Sequence, residues 1–489
     1  MIWTFSLLIS CIKLLLLPAY RSTDFEVHRN WLAITHSLPL SQWYFEDTSE
    51  WTLDYPPLFA WFEYILSQIA QFFDHRMLNL DNFNHASFET ILFQKLSVIV
   101  TDFIYIYGTY ECSKALPKGK RSEIILPILL IGNVGLLMVD HIHFQYNGFL
   151  YGVFLISISH IIQGRILHGA FWFSILLNLK HIYLYVAPAF FIYLLRICFD
   201  TKSIRNFLRL AFIVITTFIV AYLPFIDHMD QILRRLFPFQ RGLCHAYWAP
   251  NFWALYTGVD KFVIVIAARL GIRHISTAAT MTGGLVQESA HVILPNITPK
   301  LTFALILITM IPALVKLWSS GAKPSQFLRC IVLCALTSFM FGWHVHEKAI
   351  LMVIIPLSIL AVMEPADANV FLILSTVGHY SLFPLLFPDN LMLVKLLFLL
   401  IYCCYAFYSL NSIYPFQFCK FSIPLLSNSE STYVLGLAPL FLYTEVLFRF
   451  TAVSITLPFL PLMMTSIYCA LGVSYCWFKY YTYFMRCKT

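Results

Sequence analysis

Long apolar runs recur along almost the whole chain, separated by short polar connections. A run of about 18 or more apolar residues can cross a bilayer as a helix. Such runs fall near 1–19, 91–109, 123–139, 145–163, 166–178, 181–197, 205–223, 300–318, 325–343, 349–363, 367–388, 391–410, 434–451 and 455–478. The pattern predicts an all-α polytopic membrane protein with about fourteen transmembrane helices. The soft boundaries are Asn178-Leu179-Lys180, the segment interrupted by Pro384 and Pro388, and the run near 434. A β-barrel would show short alternating strands instead. The first run lacks a basic n-region and an A-x-A-like cleavage site, so it is expected to be a span and not a leader. The whole of 1–489 reads as one membrane-embedded domain.

Two longer polar stretches break the pattern, 20–90 and 224–299. Within the first, 25–38 reads as an amphipathic helix, with Thr23 and Glu26 spaced as a capping box. A second helix is predicted to begin near Pro56, with Asp54 as its N-cap and proline in its first turn. Trp61 and Tyr64 suggest that it lies along the membrane interface.

Composition sharpens this picture. Of 489 residues, 59% are hydrophobic and 12% charged, against roughly 45–50% and about 25% in ordinary domains. Yet ten of the 25 acids lie between Arg21 and Glu89. A bundle needs no such concentration of carboxylates to hold together, so the 20–90 stretch is expected to be a catalytic loop. The net charge of +7 reflects basic connections that orient helices, and nucleic acid is not an expected partner. The 12 cysteines lie mostly in apolar runs and read as small buried hydrophobes.

Orientation follows from four basic clusters: Lys114, Lys118, Lys120 and Arg121; Arg196, Lys202, Arg205 and Arg209; Lys316, Lys323 and Arg329; Lys479, Arg486 and Lys488. With the runs above, all four fall on one face, cytoplasmic by the positive-inside rule. The opposite face receives the 20–90 loop, the DHIHFQYNG turn at 140–148, the long 224–299 loop and the WHVHEK turn at 343–348. An active site is therefore expected on the non-cytoplasmic side. The sequon Asn296-Ile297-Thr298 lies there too, followed by Pro299, which disfavours its use.

Several groups on that side could carry chemistry. Asp24 and Glu26 follow the first span, either as solvated acids at a helix end or as carboxylates able to deprotonate an acceptor hydroxyl. In the 140–148 segment, Asp140, His143 and Gln145 could bind substrate hydroxyls or form a plain polar turn. Two histidines at i, i+2 invite a metal reading, but no second cluster has clear ligand spacing, and no metal is expected. His346 and Lys348 suit a phosphate group, or Lys348 simply reaches the interface. Arg234, Arg235 and Arg241 could bind an anion. Neither G-x-x-x-x-G-K-[ST] nor G-x-G-x-x-G occurs, which argues against soluble nucleotide chemistry.

At these residues the chain resembles the dolichyl-phosphate-glucose-dependent α-1,3-glucosyltransferases of the endoplasmic reticulum. STDFEVHRNW, SQWY and DYPPLFAWFEY carry the resemblance, followed in order by DHIHFQYNG, RRLFPFQRGL and VHEK. STDFEVHRNW, DYPPLFAWFEY and CHAYWAPNFWALY are similar to the branch that adds the second glucose of the lipid-linked oligosaccharide, not the first. The resemblance implies the GT-C architecture, with a luminal site formed by the first long loop and its membrane-parallel helices. It implies Asp24 as the single catalytic base; Asp54 is the second choice, as a positioning or substrate-binding acid. Glu26, Asp140, His143 and Gln145 are expected around the substrate, with Arg241, His346 and Lys348 near the phosphate. The expected partners are dolichyl phosphate glucose, a dolichol-diphosphate-linked oligosaccharide and membrane lipid, with no cofactor. A transporter would instead pair ionisable residues near the midplane and usually carry an internal repeat. A structural subunit would tolerate loss of Asp24.

Overall fold

The structure is a computed structural model, described here for residues 2–116, 122–237, 242–245, 248–270, 291–415 and 422–487. Helices dominate it, and among the described residues the one β-type pairing is an isolated bridge between Cys244 and Val345. Nine helices among the described residues are long and apolar enough to cross a membrane. The other five expected runs are also helical but shorter: Ile2–Leu15, Asn147–Ile162, Ile166–Leu179, Ala187–Asp200 and Leu351–Ala361. The expectation of about fourteen spans counts these as well.

The chain divides into two compact units, Met1–Pro238 with Gly321–Phe327, and Phe239–Ser320 with Leu328–Thr489. The first unit begins with α1 (Ile2–Leu15), α2 (Asp24–Ser37), α3 (Pro57–Ala70), α4 (Phe88–Thr101), α5 (Phe103–Ala115) and α6 (Ser122–Ile131). The capping box expected at Thr23 does not form. Thr23 is itself helical and makes no side-chain cap, while the Ser22 hydroxyl accepts the Asp24 N–H at 3.2 Å. Asp54 likewise does not cap α3: Pro56, in extended backbone, is the N-cap residue, and Pro57 opens the helix. Proline tolerates that position because the first-turn N–H groups have no intrahelical partner. α4 has a side-chain cap, with Ser87 Oγ accepting the Thr90 N–H at 3.1 Å.

α5 packs closely on the helix Asn147–Ile162, where a Cβ on Gly108 would meet the Gly152 carbonyl oxygen at 2.6 Å. Small residues at such a contact let two backbones approach. Ile204–Tyr222 instead turns Leu208, Phe212, Ile215 and Ile219 outward, as a bilayer-facing helix does.

The segment 140–148 departs from the expected turn. Residues Leu137–Phe144 form a π-helical stretch that continues the membrane helix, and regular structure stops only at Gln145. A π-turn holds an extra residue per turn and is frequent at functional sites. Phe144, fully buried, then takes a left-handed φ of 86°, a strained conformation for a bulky residue.

In the second unit, Leu351–Ala361 and Pro365–Tyr380 are almost wholly buried. Arg329 Nη2 lies 2.7 Å from Asp367 Oδ2, and Tyr480 donates to Asp367 Oδ1 at 2.9 Å. The 224–299 stretch also differs from expectation, because it contains the helix Phe252–Arg269.

Candidate active site

Asp24 is the first residue of α2, where the helix dipole favours a negative charge. Its side chain is 24% exposed, and His143 Nε2 lies 3.2 Å from Oδ2. Gln145 Nε2 donates to the same oxygen at 2.6 Å. The His143 carbonyl meanwhile accepts the Ser22 N–H at 2.9 Å and the Ser22 hydroxyl at 2.6 Å. The start of α2 is therefore fastened to 143–145 by backbone and side chain together. The strained Phe144 lies between the two groups that reach Asp24, and its ring packs edge-on against Phe25 at 5.2 Å.

Asp140 is brought close but is spent inside the fold. Its oxygens accept Asn147 Nδ2 at 2.9 Å and the Gly148 N–H at 2.5 Å, fixing the start of the helix Asn147–Ile162. Behind it, Asp102 Oδ2 accepts from Lys13 Nζ at 2.6 Å and faces His141 Nε2 at 2.7 Å. Lys95 donates to the carbonyls of Tyr20 and His141 at 3.2 and 3.1 Å. His141 and His143 thus serve different carboxylates, and the i, i+2 pair does not converge as a metal site.

Glu26 turns to Arg29, which is fully buried. Arg29 Nε lies 2.9 Å from both oxygens of Glu26, and Nη2 lies 2.7 Å from Oε1. The same guanidinium donates to the carbonyls of Met77 and Asn79 at 2.9 Å. Glu26 therefore anchors α2, and it also lines a cleft of about 310 Å³ with Thr48, Ser49, Glu50, Trp51, Phe83 and Asn84.

Tyr55 and Lys180 were not singled out by sequence. Desolvation, then the negative charges of Asp54, Asp24 and Asp140, push the Tyr55 hydroxyl well above its ordinary range. The charges of three of the expected acids therefore act on one phenol. Lys180 Nζ stands 4.9 Å from the centroid of the same ring and donates to Asn147 Oδ1 at 3.2 Å. Its signal was the break at Asn178-Leu179-Lys180, an ionisable residue inside an apolar stretch. Arg235 donates to the Tyr44 carbonyl at 3.2 Å, whereas Arg241 lies outside the described residues.

His346 and Lys348 belong to the second unit. There the His346 ring lies against that of His245, with centroids 3.6 Å apart and planes tilted by 39°, and His344 donates from Nδ1 to the Gly242 carbonyl at 2.7 Å. His245, His344 and His346 each offer one ligand atom, and these lie within 4.8 Å of one another. Neutral imidazoles in this arrangement suit a metal ion, and protonated ones suit an anion. Sequence did not connect His245 to the other two, because no local spacing links them.

The site is a carboxylate held by an amide and an imidazole at the start of a helix, with a tyrosine whose hydroxyl feels the charge of that carboxylate and of Asp54 and Asp140. Such a group can take a proton from a hydroxyl placed beside it. A family model described as the ALG6, ALG8 glycosyltransferase family matches residues 9–480. Proteins named dolichyl pyrophosphate Glc1Man9GlcNAc2 alpha-1,3-glucosyltransferase match along nearly the full length. The one from Mus musculus is 51% identical, covering 97% of this chain and 93% of its own. The one from Bos taurus is 50% identical with the same coverage, and that from Arabidopsis thaliana is 43% identical, covering 98% and 96%. On this full-length likeness the chain belongs to the ALG6, ALG8 glycosyltransferase family, an all-α membrane fold of the GT-C architecture.

Proposed function

We propose that this chain transfers glucose from dolichyl phosphate glucose, in α-1,3 linkage, to Glc1Man9GlcNAc2-diphosphodolichol, adding the second glucose of the oligosaccharide. The acceptor named in its relatives supports that substrate. The acceptor 3-hydroxyl attacks C1 of β-linked glucose, and Asp24 takes its proton. The C1–O bond to phosphate breaks with inversion, and dolichyl phosphate departs. The observation that carries this reading is Asp24 Oδ2, gripped by Gln145 and His143 on a side chain that still reaches the surface.

The chemistry fits one base. Phosphate is a good leaving group without protonation, so the carboxylate pair of a glycosidase is unnecessary. Asp54 and Tyr55 would position the sugar. Cationic groups should offset charge on the departing phosphate, and His346, Lys348 and Arg241 are nominated for that role, with no cofactor required. By the charge pattern of the loops, the site faces the lumen of the endoplasmic reticulum. The family also includes the first-glucose reading, which would use Man9GlcNAc2-diphosphodolichol.

A paired assay on purified protein separates these readings. Dolichyl phosphate glucose is offered with either the unglucosylated or the once-glucosylated acceptor, using wild type and Asp24→Asn. Transfer to the once-glucosylated acceptor alone is expected, and the variant should lose about 10²–10⁴-fold, the usual worth of a general base. Transfer to the unglucosylated acceptor would move the chain to the first-glucose reaction. Full activity in folded Asp24→Asn would remove Asp24 as base.

A further inference from the structure

Asp24 sits at the end of a directed chain of hydrogen bonds that begins at a cation. Lys180 Nζ donates to Asn147 Oδ1 at 3.2 Å. Asn147 Nδ2 donates to Gln145 Oε1 at 2.6 Å, and Gln145 Nε2 donates to Asp24 Oδ2 at 2.6 Å. Each side chain comes from a different place in the fold. Lys180 follows the helix Ile166–Leu179, Asn147 opens the helix Asn147–Ile162, Gln145 lies beyond the π-helical turn, and Asp24 opens α2.

The order of donors and acceptors is what gives the chain its force. A carboxylate only accepts, and an ammonium only donates. Two amides placed between them have one orientation that satisfies both ends. If Asn147 flipped, its NH₂ would face the Lys180 ammonium and its carbonyl would face Asp140, which accepts from Nδ2 at 2.9 Å. Its carbonyl could then no longer accept from Lys180, and the Gln145 carbonyl would lose its donor. If Gln145 flipped, two acceptors would meet at Asp24. Lys180 is itself held by the Tyr55 ring, 4.9 Å from its centroid, a cation–π contact worth more where water is thinned.

We propose that Lys180 is a positioning residue for the transfer reaction: acting through Asn147 and Gln145, it fixes the amide orientations that aim the Asp24 carboxylate. This rests on the reading of Asp24 as the base. Lys180 touches neither the reacting hydroxyl nor the sugar in this role. Its loss takes the cationic donor from the Asn147 carbonyl and leaves the orientation of that amide to Asp140 alone, which loosens the path to Asp24, and a misaimed base costs rate without costing substrate affinity.

The test is a double-mutant cycle on full-length purified protein, with kcat and KM measured for dolichyl phosphate glucose and for the once-glucosylated acceptor. Lys180→Met is expected to lower kcat by about 10- to 100-fold with both KM values unchanged. In a Gln145→Ala background it should add little, because the path is already cut. Lys180→Arg, which keeps a cationic donor, should recover much of the rate, a rescue that loss of packing alone does not give. Should Lys180→Met fail to fold, Asn147→Ser cuts the same path with Lys180 in place and should show the same split. Effects that multiply in the double variant, or a raised KM for the donor, would overturn the proposal and put Lys180 on the donor phosphate. Asp24→Asn run alongside separates the two readings. An inactive, folded Asp24→Asn with multiplying effects sinks only the role of Lys180, whereas an active one sinks the base and this inference with it.

Discussion

His28 Nδ1 stands 2.6 Å from Glu63 Oε1, joining α2 to α3 through two buried side chains. The imidazole is walled by Trp31, Phe59, Phe144 and Tyr146, with ring centroids 4.9 to 5.8 Å away. One of those walls is the strained Phe144, so the same imidazole supports the backbone that presents His143 and Gln145 to Asp24. Glu63→Leu would strand the His28 nitrogen in an apolar box, at a cost of about 1–3 kcal/mol. Glu63→Gln keeps an acceptor and should cost less. Thermal unfolding of the detergent-purified variants should rank wild type, then Gln, then Leu. A Leu variant as stable as wild type would show that this pair does not hold α2 to α3.

Gly148→Ala should damage the site from beneath. A Cβ there would collide with Asp102 Oδ1, and would also lie 3.0 Å from Asp102 Cγ and 3.4 Å from Asp140 Oδ2. Asp102 has little room to retreat, since Lys13 and His141 hold its other oxygen at 2.6 and 2.7 Å. Overpacking of this kind costs about 1–3 kcal/mol. The expected result is a lower unfolding temperature together with a fall in transfer rate at temperatures where the variant is still folded. Wild-type activity in the folded variant would mean that the start of Asn147–Ile162 can shift without disturbing Gln145.

The membrane helices were legible because transfer of apolar side chains dominates them. The run 205–223 became Ile204–Tyr222, and 300–318 became Pro299–Ser319. Asp24, His143 and Gln145 were legible as polar groups beside apolar runs, and the structure joins them. Other features were hidden for physical reasons. The π-turn at 137–144 leaves no mark on hydrophobic periodicity, so Asp140 looked like a loop acid when it is a buried anchor. Glu26 and Arg29, an i, i+3 pair of opposite charge, could have been matched from spacing alone. Lys180 and His245 meet their partners through tertiary packing, which no local pattern encodes. The helix Phe252–Arg269 was missed because Asp260-Lys261 breaks its apolar run.

Asp74 should make stability depend on acid. Burial alone would raise its carboxyl, but Ser87, His85, the Arg76 N–H and Thr90 outweigh that and hold it well below the ordinary carboxylate range. Ser87 Oγ lies 2.6 Å and His85 Nε2 2.7 Å from Oδ2. A carboxyl whose folded value is depressed contributes stability above its unfolded value, here 3.8. That contribution is lost as pH falls below it. Asp74→Asn should therefore be less stable than wild type near neutral pH, by about 1.5–3 kcal/mol for lost charged hydrogen bonds. The gap should close as the pH is taken below the ordinary carboxylate range. Unfolding temperatures of both proteins across pH test this, and a gap that widens in acid would contradict it.

Asp260 gives the missed helix its reason to tolerate a charge. Oδ1 accepts the N–H groups of Ile293 and Leu294 at 3.0 and 2.8 Å, and Oδ2 accepts that of Val292 at 3.2 Å. One carboxylate thus closes three consecutive backbone donors, and Tyr256 adds a bond to the Pro295 carbonyl at 2.8 Å. The acid that hid the helix from its hydropathy is the group that ties Phe252–Arg269 to the strand of chain leading into Pro299–Ser319. Asp260→Ala would leave those donors to water and release 292–295, at about 1.5–3 kcal/mol for a charged hydrogen bond. Hydrogen exchange should then show faster exchange at Val292, Ile293 and Leu294, while the amides of α2 keep their wild-type rates. Asp260→Asn, with one acceptor oxygen, should fall between the two. Unchanged exchange at 292–294 in the Ala variant would mean that the segment is held by contacts other than this carboxylate.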